Sequence, residues 1–560
     1  MPVYIDPSRG TNGAGTFADP RNTWAGVTWT AGETYLQRAG TTFAGRITVG
    51  ASGTANSRIV VGVYDPATGN EITNQLGAAI VQANGDGTGP AINAAQDFVT
   101  IRCLEARNAG GTATLIRNGS NDGAIVEYCR ANGGGGNGIT FFQQSGAVGI
   151  VARNSEACGN GTGNNGYGIT LEGTPDAGWV VNITGNVLDR NRGGALWLIP
   201  YDEARDLAAG TIADNLCRDN LNYGIRVTCN VQRGVVVSGN TCTGNTFGIT
   251  VDPNPAGTLR SRVLVVRNRC NNNRQFGIHV VRAQGWTLRS NECSRNGEDS
   301  SPRYGRGIEL VGAAFLLCSG LVEDNDCHEN RNFGGTDDNG TEGVGIGVDD
   351  FCGDVNVRSN RCFQNEGCGI QCNHNGAGGT VNVESNLLID NWRVDAARFD
   401  RPTWQATAHN MAQIGTGNTQ NNLRIRGNTI VNTGVVTCPY GIREHQDAPG
   451  TDTDIRNNVI VGHAIAGMKV RNAITRTHNA FWRNGVNVQS QQDVGFSTLS
   501  NGTGAVTADP LLTAGGAPMP GSPLLRAGTS TGRSRDLRGV LRHPTTPTLG
   551  AFEFARFRSI

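Results

Sequence analysis

Short apolar runs of about three to five residues recur along the chain, separated by polar stretches rich in Asn and Gly. Runs such as Val235-Val236-Val237 and Val263-Leu264-Val265-Val266 are β-branched and bounded by turn residues, which predicts strands. No stretch sustains a 3.6-residue apolar period, so helices do not carry the core. The pattern N-x-C-x-x-N appears at Asn215/Cys217/Asn220, Asn240/Cys242/Asn245, Asn268/Cys270/Asn273, Asn291/Cys293/Asn296, Asn325/Cys327/Asn330 and Asn360/Cys362/Asn365. Neighbouring repeats keep the frame with Leu188, Leu388, Ile430, Ile460 or Phe481 in the cysteine's place, and the first Asn recurs every 21 to 42 residues. A Gly-Ile pair follows many units, as at Gly224-Ile225, Gly277-Ile278, Gly307-Ile308 and Gly345-Ile346.

Self-similarity at this period means a solenoid. Each coil contacts only its neighbours, so the core grows in one dimension and 560 residues need not split into several globular domains. The predicted fold is all-β, a single-stranded parallel β-helix. Residues 1–95 form an N-terminal cap and first coils, residues 96–490 the body, and residues 491–560 a Pro-rich capping segment that folds back along it. In such a stack, equivalent residues sit ~4.8 Å apart. Cys217, Cys242, Cys270, Cys293, Cys327 and Cys362 then form one internal column. Disulfides or a metal site are the functional alternatives. A stack of small apolar thiols is the simpler one, because Leu, Ile and Phe replace Cys freely and a metal ligand would not be so exchanged. The asparagines read as turn residues whose amides bond along the stack, with ligand contact as the alternative.

Glycine supplies 81 of the residues, about twice the usual share, which fits many turns with positive φ. Basic and acidic residues balance at 47 each, so the electrostatic footprint of a nucleic-acid-binding protein is missing. No apolar run approaches the roughly 20 residues that span a membrane. The start, Met1-Pro2-Val3-Tyr4-Ile5-Asp6, lacks the charged and apolar regions of a secretory signal, which gives the expectation of cytoplasmic synthesis.

The Asn and Gly-Ile coil repeat resembles that of the pectate-lyase-like right-handed β-helix superfamily. So do the opening segment Tyr4-Ile5-Asp6-Pro7 with Gly10, Gly13 and Gly15, and the closing residues Ser522-Pro523, Asp536, Gly539, Arg542 and Gly550-Ala551-Phe552-Glu553. The superfamily includes polysaccharide lyases, polygalacturonase-type hydrolases and bacteriophage tailspikes. The resemblance implies a sugar chain held in a long groove along one face and, for a tailspike, a homotrimer. One solenoid carries many activities, so fold does not settle chemistry.

If the Ile of Gly-Ile points inward, the residues one and three further along point outward. The resulting strip runs Thr170/Glu172, Leu196/Leu198, Arg226/Thr228, Thr250/Asp252, His279/Val281, Glu309/Val311, Gly347/Asp349, Gln371/Asn373, Arg443/His445 and Lys469/Arg471. Glycoside hydrolysis needs two carboxylates, and Asp252, Glu309, Asp349 and Asp350 are the candidates. Glu309 and Asp349 fall on neighbouring coils, with carboxyl groups expected roughly 5–7 Å apart, straddling retaining and inverting separations. Arg226 and His279 suit acidic sugar substituents. Trp392 and Trp404, in a long insertion from Asn391 to Asn410 with Arg393, Arg398, Phe399 and Arg401, suit stacking on sugar rings. A lyase instead needs a base beside a neutralised uronate. Lys469, the only lysine, with Arg443, His445 and Arg471 forms that alternative. Asp337, Asp338 and Glu342 are a weak cation candidate. Hydrolysis requires no cofactor, and calcium enters only for a lyase. The plain alternative for each of these residues is a solvated charge.

The expected function is a phage tailspike-like virion protein that binds and depolymerises host surface polysaccharide, with other tail proteins as partners. The alternatives are an extracellular bacterial polysaccharide lyase or glycoside hydrolase, and a non-catalytic structural or adhesive solenoid.

Overall fold

A computed structural model of the chain describes residues 1–108, 110–119, 122–143, 149–162, 166–173, 180–200, 206–207, 209–228, 230–231, 234–252, 262–297, 305–313, 317–331, 343–373, 379–392, 412–417, 422–435, 437–444, 453–471, 474–490 and 497–554. It divides into two compact units, Met1–Leu264 and Val265–Ile560. The described residues contain no helix, and their strand ladders are parallel apart from the hairpin of Ile59–Tyr64 with Glu71–Ile72. Each unit is a stack of β-helix coils, right-handed as parallel crossovers are.

One coil shows the plan. Strand Val235–Ser238 leads through a turn at Asn240 into Thr241–Thr243, then through Asn245 into Phe247–Val251. Three parallel sheets result, one from each strand position. Cys217 faces Cys242 in register in the first unit. In the second, Cys293, Cys327, Cys362, Leu388, Ile430, Ile460 and Phe481 follow one another. The described cysteines are buried thiols rather than disulfides, as their exchange with Leu and Ile implies.

Buried asparagines run up the turns as two ladders. Asn325 Nδ2 donates to Asn360 Oδ1 at 3.0 Å and to the Leu288 carbonyl of the coil behind, while its Oδ1 accepts from the backbone and side chain of Asn291. Asn296, Asn330, Asn365 and Asn391 repeat this at the second turn, where Gln413 takes the next place. The residue before each ladder Asn adopts positive φ and is often not glycine: Ser290, Asp324, Ser359, Arg295, Glu329 and Gln364 do so. The glycine of Gly-Ile serves another purpose. A Cβ on Gly345 would lie 2.5 Å from the Gly369 carbonyl and 2.9 Å from Asn365 Nδ2, so close approach to the ladder excludes a side chain there.

The Gly-Ile sheet keeps its core column in both units. Ile139, Ile169, Leu196, Ile225 and Ile249 are in register in the first, and Ile278, Ile308, Ile346, Ile370, Ile414, Ile442, Met468 and Val488 in the second. Two corrections to the outward strip follow. Gly194-Ala195-Leu196 offers no Ile, and Leu196 rather than Ala195 takes the core position, so Leu196 and Leu198 point inward and Trp197 outward. The coil Ala412–Thr416 also intervenes between Gln371 and Arg443, which are therefore not neighbours.

In the second unit the closing segment folds back over the cysteine sheet. Leu524 and Leu549 pack on Val459 and Ala480, and Ala551 and Phe552 on Leu387. The Ala551 N–H donates to Thr429 Oγ1 at 2.8 Å, and Arg542 Nη2 to Ser385 Oγ at 3.2 Å.

Candidate functional site

The second unit brings two of the expected carboxylates together. Glu309 stands in register with His279 and Gly347, and Asp349 follows two residues after Gly347 on the next coil. Both are held by one guanidinium that the sequence reading passed over. Arg306 Nη1 donates to Glu309 Oε2, and it lies 2.7 Å from Asp349 Oδ2. Arg306 and Glu309 are each only 3% exposed, whereas the Asp349 side chain is 22% exposed. Burial pushes the Glu309 carboxyl well above the ordinary range. Arg306 opposes this and Asp349 adds to it. Asp349 Oδ1 is buried without a hydrogen-bond partner, as is Gln371 Oε1 on the following coil. The arrangement thus sets a carboxyl whose pKa burial raises beside an Asp349 oxygen with no hydrogen-bond partner. Asp350 is exposed just beyond the strand end. His279 packs at 4.8 Å against Phe276.

Further along the same sheet, Arg443 and Lys469 are in register and flank one ring. Arg443 Cζ lies 5.3 Å and Lys469 Nζ 5.5 Å from the centre of Tyr440. Burial, then the neighbouring Arg443, lowers the Lys469 pKa; burial alone lowers that of Arg443 and raises that of Tyr440. Arg471 turns to Glu444, to which its Nε donates at 3.0 Å. Trp392 is 1% exposed, so its ring offers no open face to a sugar. Trp404 and His445 lie outside the described residues, as do Asp337, Asp338, Glu342, Arg393, Arg398, Phe399 and Arg401.

Arg226 and Asp252 belong to the first unit. Arg226 Nη2 donates to Asp252 Oδ2 at 3.2 Å, and its guanidinium lies 4.6 Å from the Tyr223 ring and 5.0 Å from that of Trp197. Tyr167 packs on Trp197 at 4.9 Å, and Tyr223 stacks on Phe247 at 5.2 Å. This ring cluster and Arg306 carry a signal that was present in the sequence. The residue just ahead of Gly-Ile is Tyr167, Tyr223, Phe247, Phe276, Arg306 or Tyr440 in six coils, and Val344 or Cys368 in two others. Because the tight Gly breaks the alternation, Tyr223, Phe276, Arg306 and Tyr440 reach Arg226, His279, Glu309 and Arg443 of the outer strip.

Residues 258–397 match the family model of the right handed beta helix region, in accord with the register above. Residues 106–299 match that of the periplasmic copper-binding protein (NosD). No curated relative matches the chain. The fold is similar to that of the native GH136 lacto-N-biosidase from Eubacterium ramulus, at 13% identity and a TM-score of 0.40, covering 68% of this chain and 65% of that one. This chain thus spans just under two thirds of that structure's length. It is also similar to the A-module of the Azotobacter vinelandii mannuronan C-5 epimerase AlgE6, at 15% identity and a TM-score of 0.31, covering 86% and 91%. Pectate lyase Pel9A is similar at 15% identity and a TM-score of 0.26, covering 99% and 96%.

Proposed function

We propose that this chain binds and hydrolyses a polysaccharide, with Glu309 as general acid and Asp349 as base or nucleophile. One observation carries the reading: the two carboxyl groups converge on Arg306 Nη1, where burial raises the Glu309 pKa and Asp349 Oδ1 has no hydrogen-bond partner. Glu309 delivers its proton to the glycosidic oxygen. Asp349, held by Arg306 Nη1, takes a proton from water or attacks the anomeric carbon. Sharing one nitrogen holds the two carboxyl groups close together, which favours the retaining over the inverting arrangement. His279, in register beside Glu309, contacts the sugar chain.

A second reading, a lyase centred on Lys469, is favoured by that lysine's lowered pKa beside Arg443. It requires a uronate substrate and admits calcium as its neutralising cation. Among the described residues no three His, Cys, Asp or Glu side chains gather as ligands for the copper in the name of one matched family. The tailspike form of the proposal adds a virion setting and a homotrimer, which a solution mass tests.

The experiment is incubation with a panel of acidic and neutral bacterial polysaccharides, following reducing ends and unsaturated-uronate absorbance together. Reducing ends without the absorbance, abolished in Glu309→Gln and Asp349→Asn, support hydrolysis. The absorbance, lost only in Lys469→Ala, replaces it with the lyase. No product leaves a binding or structural solenoid.

A further inference from the structure

Away from the Gly-Ile sheet, the second unit holds a cavity of about 1100 Å³ between the outer face of the cysteine sheet and the fold-back segment. Phe363, Leu387 and Ile389 supply its floor from the solenoid, and Leu537 and Phe552 close it from the segment. The Phe363 ring is fixed flat by His328, stacked at 4.5 Å with an interplanar angle of 6°. Arginines rim this apolar floor: Arg361 stands 5.8 Å from the Phe363 ring centre, Arg538 5.1 Å from that of Phe552, and Arg533 and Arg535 line the segment side.

Four acids also line the wall, Glu323, Asp324, Asp326 and Asp536, and three of them already have partners. Glu323 is paired with Arg289 and Arg358, both at 2.7 Å. Asp326 is paired with Arg361 at 3.5 Å. Asp536 accepts backbone N–H bonds from Arg538, Val540 and Glu553. Arg533 is the arginine left in deficit. Its Nη2 donates to Ser359 Oγ and its Nε to the Arg535 carbonyl, but Nη1 is buried and donates to nothing. Burial and then the neighbouring Arg358 lower its pKa, against the pull of Glu384, Glu323 and Asp324. A cavity larger than one sugar ring, a fixed aromatic floor and an arginine with an unused planar donor fit a ring-containing anion.

We propose that this cavity is a second saccharide site, separate from the candidate active site, that takes an acidic oligosaccharide with a carboxylate on Arg533 and a ring face on Phe363. It would keep the chain on an acidic polymer while cleavage proceeds on another face, and it does not depend on the hydrolase assignment. The test is calorimetric titration of the intact chain with tetragalacturonate and tetramannuronate, alongside maltotetraose and inorganic phosphate. One of the uronates is expected to bind, at least tenfold more weakly in Arg533→Ala and in Arg361→Glu, and unchanged in Glu309→Gln. Arg361→Glu alters an exposed rim charge, so it reads the site even if Arg533→Ala disturbs the segment. Binding of neither uronate, or maltotetraose or phosphate binding as tightly as the uronates, overturns the proposal. So does uronate binding that Glu309→Gln abolishes while Arg533→Ala and Arg361→Glu leave it intact.

Discussion

Glu444 occupies a core column of the second unit, and Arg471 on the next coil neutralises it, with its backbone N–H and its Nε each donating at 3.0 Å. The column reads Leu310, Val348, Cys372, Thr416 and then Glu444, so the core turns polar near its C-terminal end. Removing one partner of a buried pair strands the other's charge. Arg471→Ala should therefore cost about 3–5 kcal/mol, and the double change to Leu at both positions should restore most of it. Thermal and urea unfolding of the single and double variants decide this. An Arg471→Ala protein as stable as its parent would mean that the pair is dispensable.

The asparagine ladder makes a sharper demand. Asn325 is fully enclosed, and both its oxygen and its amide nitrogen bond to neighbouring coils. Asn325→Ala leaves donors and acceptors of two other coils unpaired, at roughly 1–3 kcal/mol for each buried group. A fall in melting temperature of several degrees is expected. Asn325→Asp should fall as well, because a carboxylate accepts but cannot donate to Leu288 or Asn360.

These ladders are also where the sequence was most readable. Spacing alone placed Asn215, Asn240, Asn291, Asn325 and Asn360 in one column and the cysteines in another, because each position is repeated in every coil and enforced by backbone hydrogen bonding. The outward strip was less readable, for two physical reasons. A strand without Ile, such as Gly194–Pro200, gives no mark of its register, and one slip exchanges Leu196 for Trp197. An insertion hides a coil, as Asn391 to Asn410 hid Ala412–Thr416. Arg306 was missed because it stands where strict alternation points inward. Only the close packing of Gly307 against the Gly345 carbonyl, 2.6 Å from where a Cβ would be, shows why that position faces out.

The thiol column predicts a chemical inertness. Cys293, Cys327 and Cys362 are wholly enclosed. A reagent must reach the sulfur to react with it, so these groups should resist a thiol-specific reagent in the native protein and titrate fully once it is unfolded. Rapid native labelling at Cys327, located by peptide mass analysis, would contradict the enclosed column. Cys327→Ala should cost only about 1–2 kcal/mol, the loss of a small apolar group, since no bridge or ligand is removed.

Glu309 couples stability to pH with a definite sign. Burial holds its folded-state pKa well above the ordinary value of 4.5, and this outweighs the opposing pull of Arg306. The folded chain therefore keeps a proton that the unfolded chain releases once pH exceeds that value. With more protons bound in the folded state, stability falls as pH rises through the window between the two pKa values, and below it the penalty vanishes. Glu309→Gln keeps the shape and removes the titration. The melting temperature of the variant minus that of the parent should therefore grow as pH rises above the ordinary carboxyl value. A difference that stays constant across the range would mean that Glu309 is ionised in the folded protein. That would remove the neutral acid on which the proposed proton delivery depends, whatever the activity measurements give.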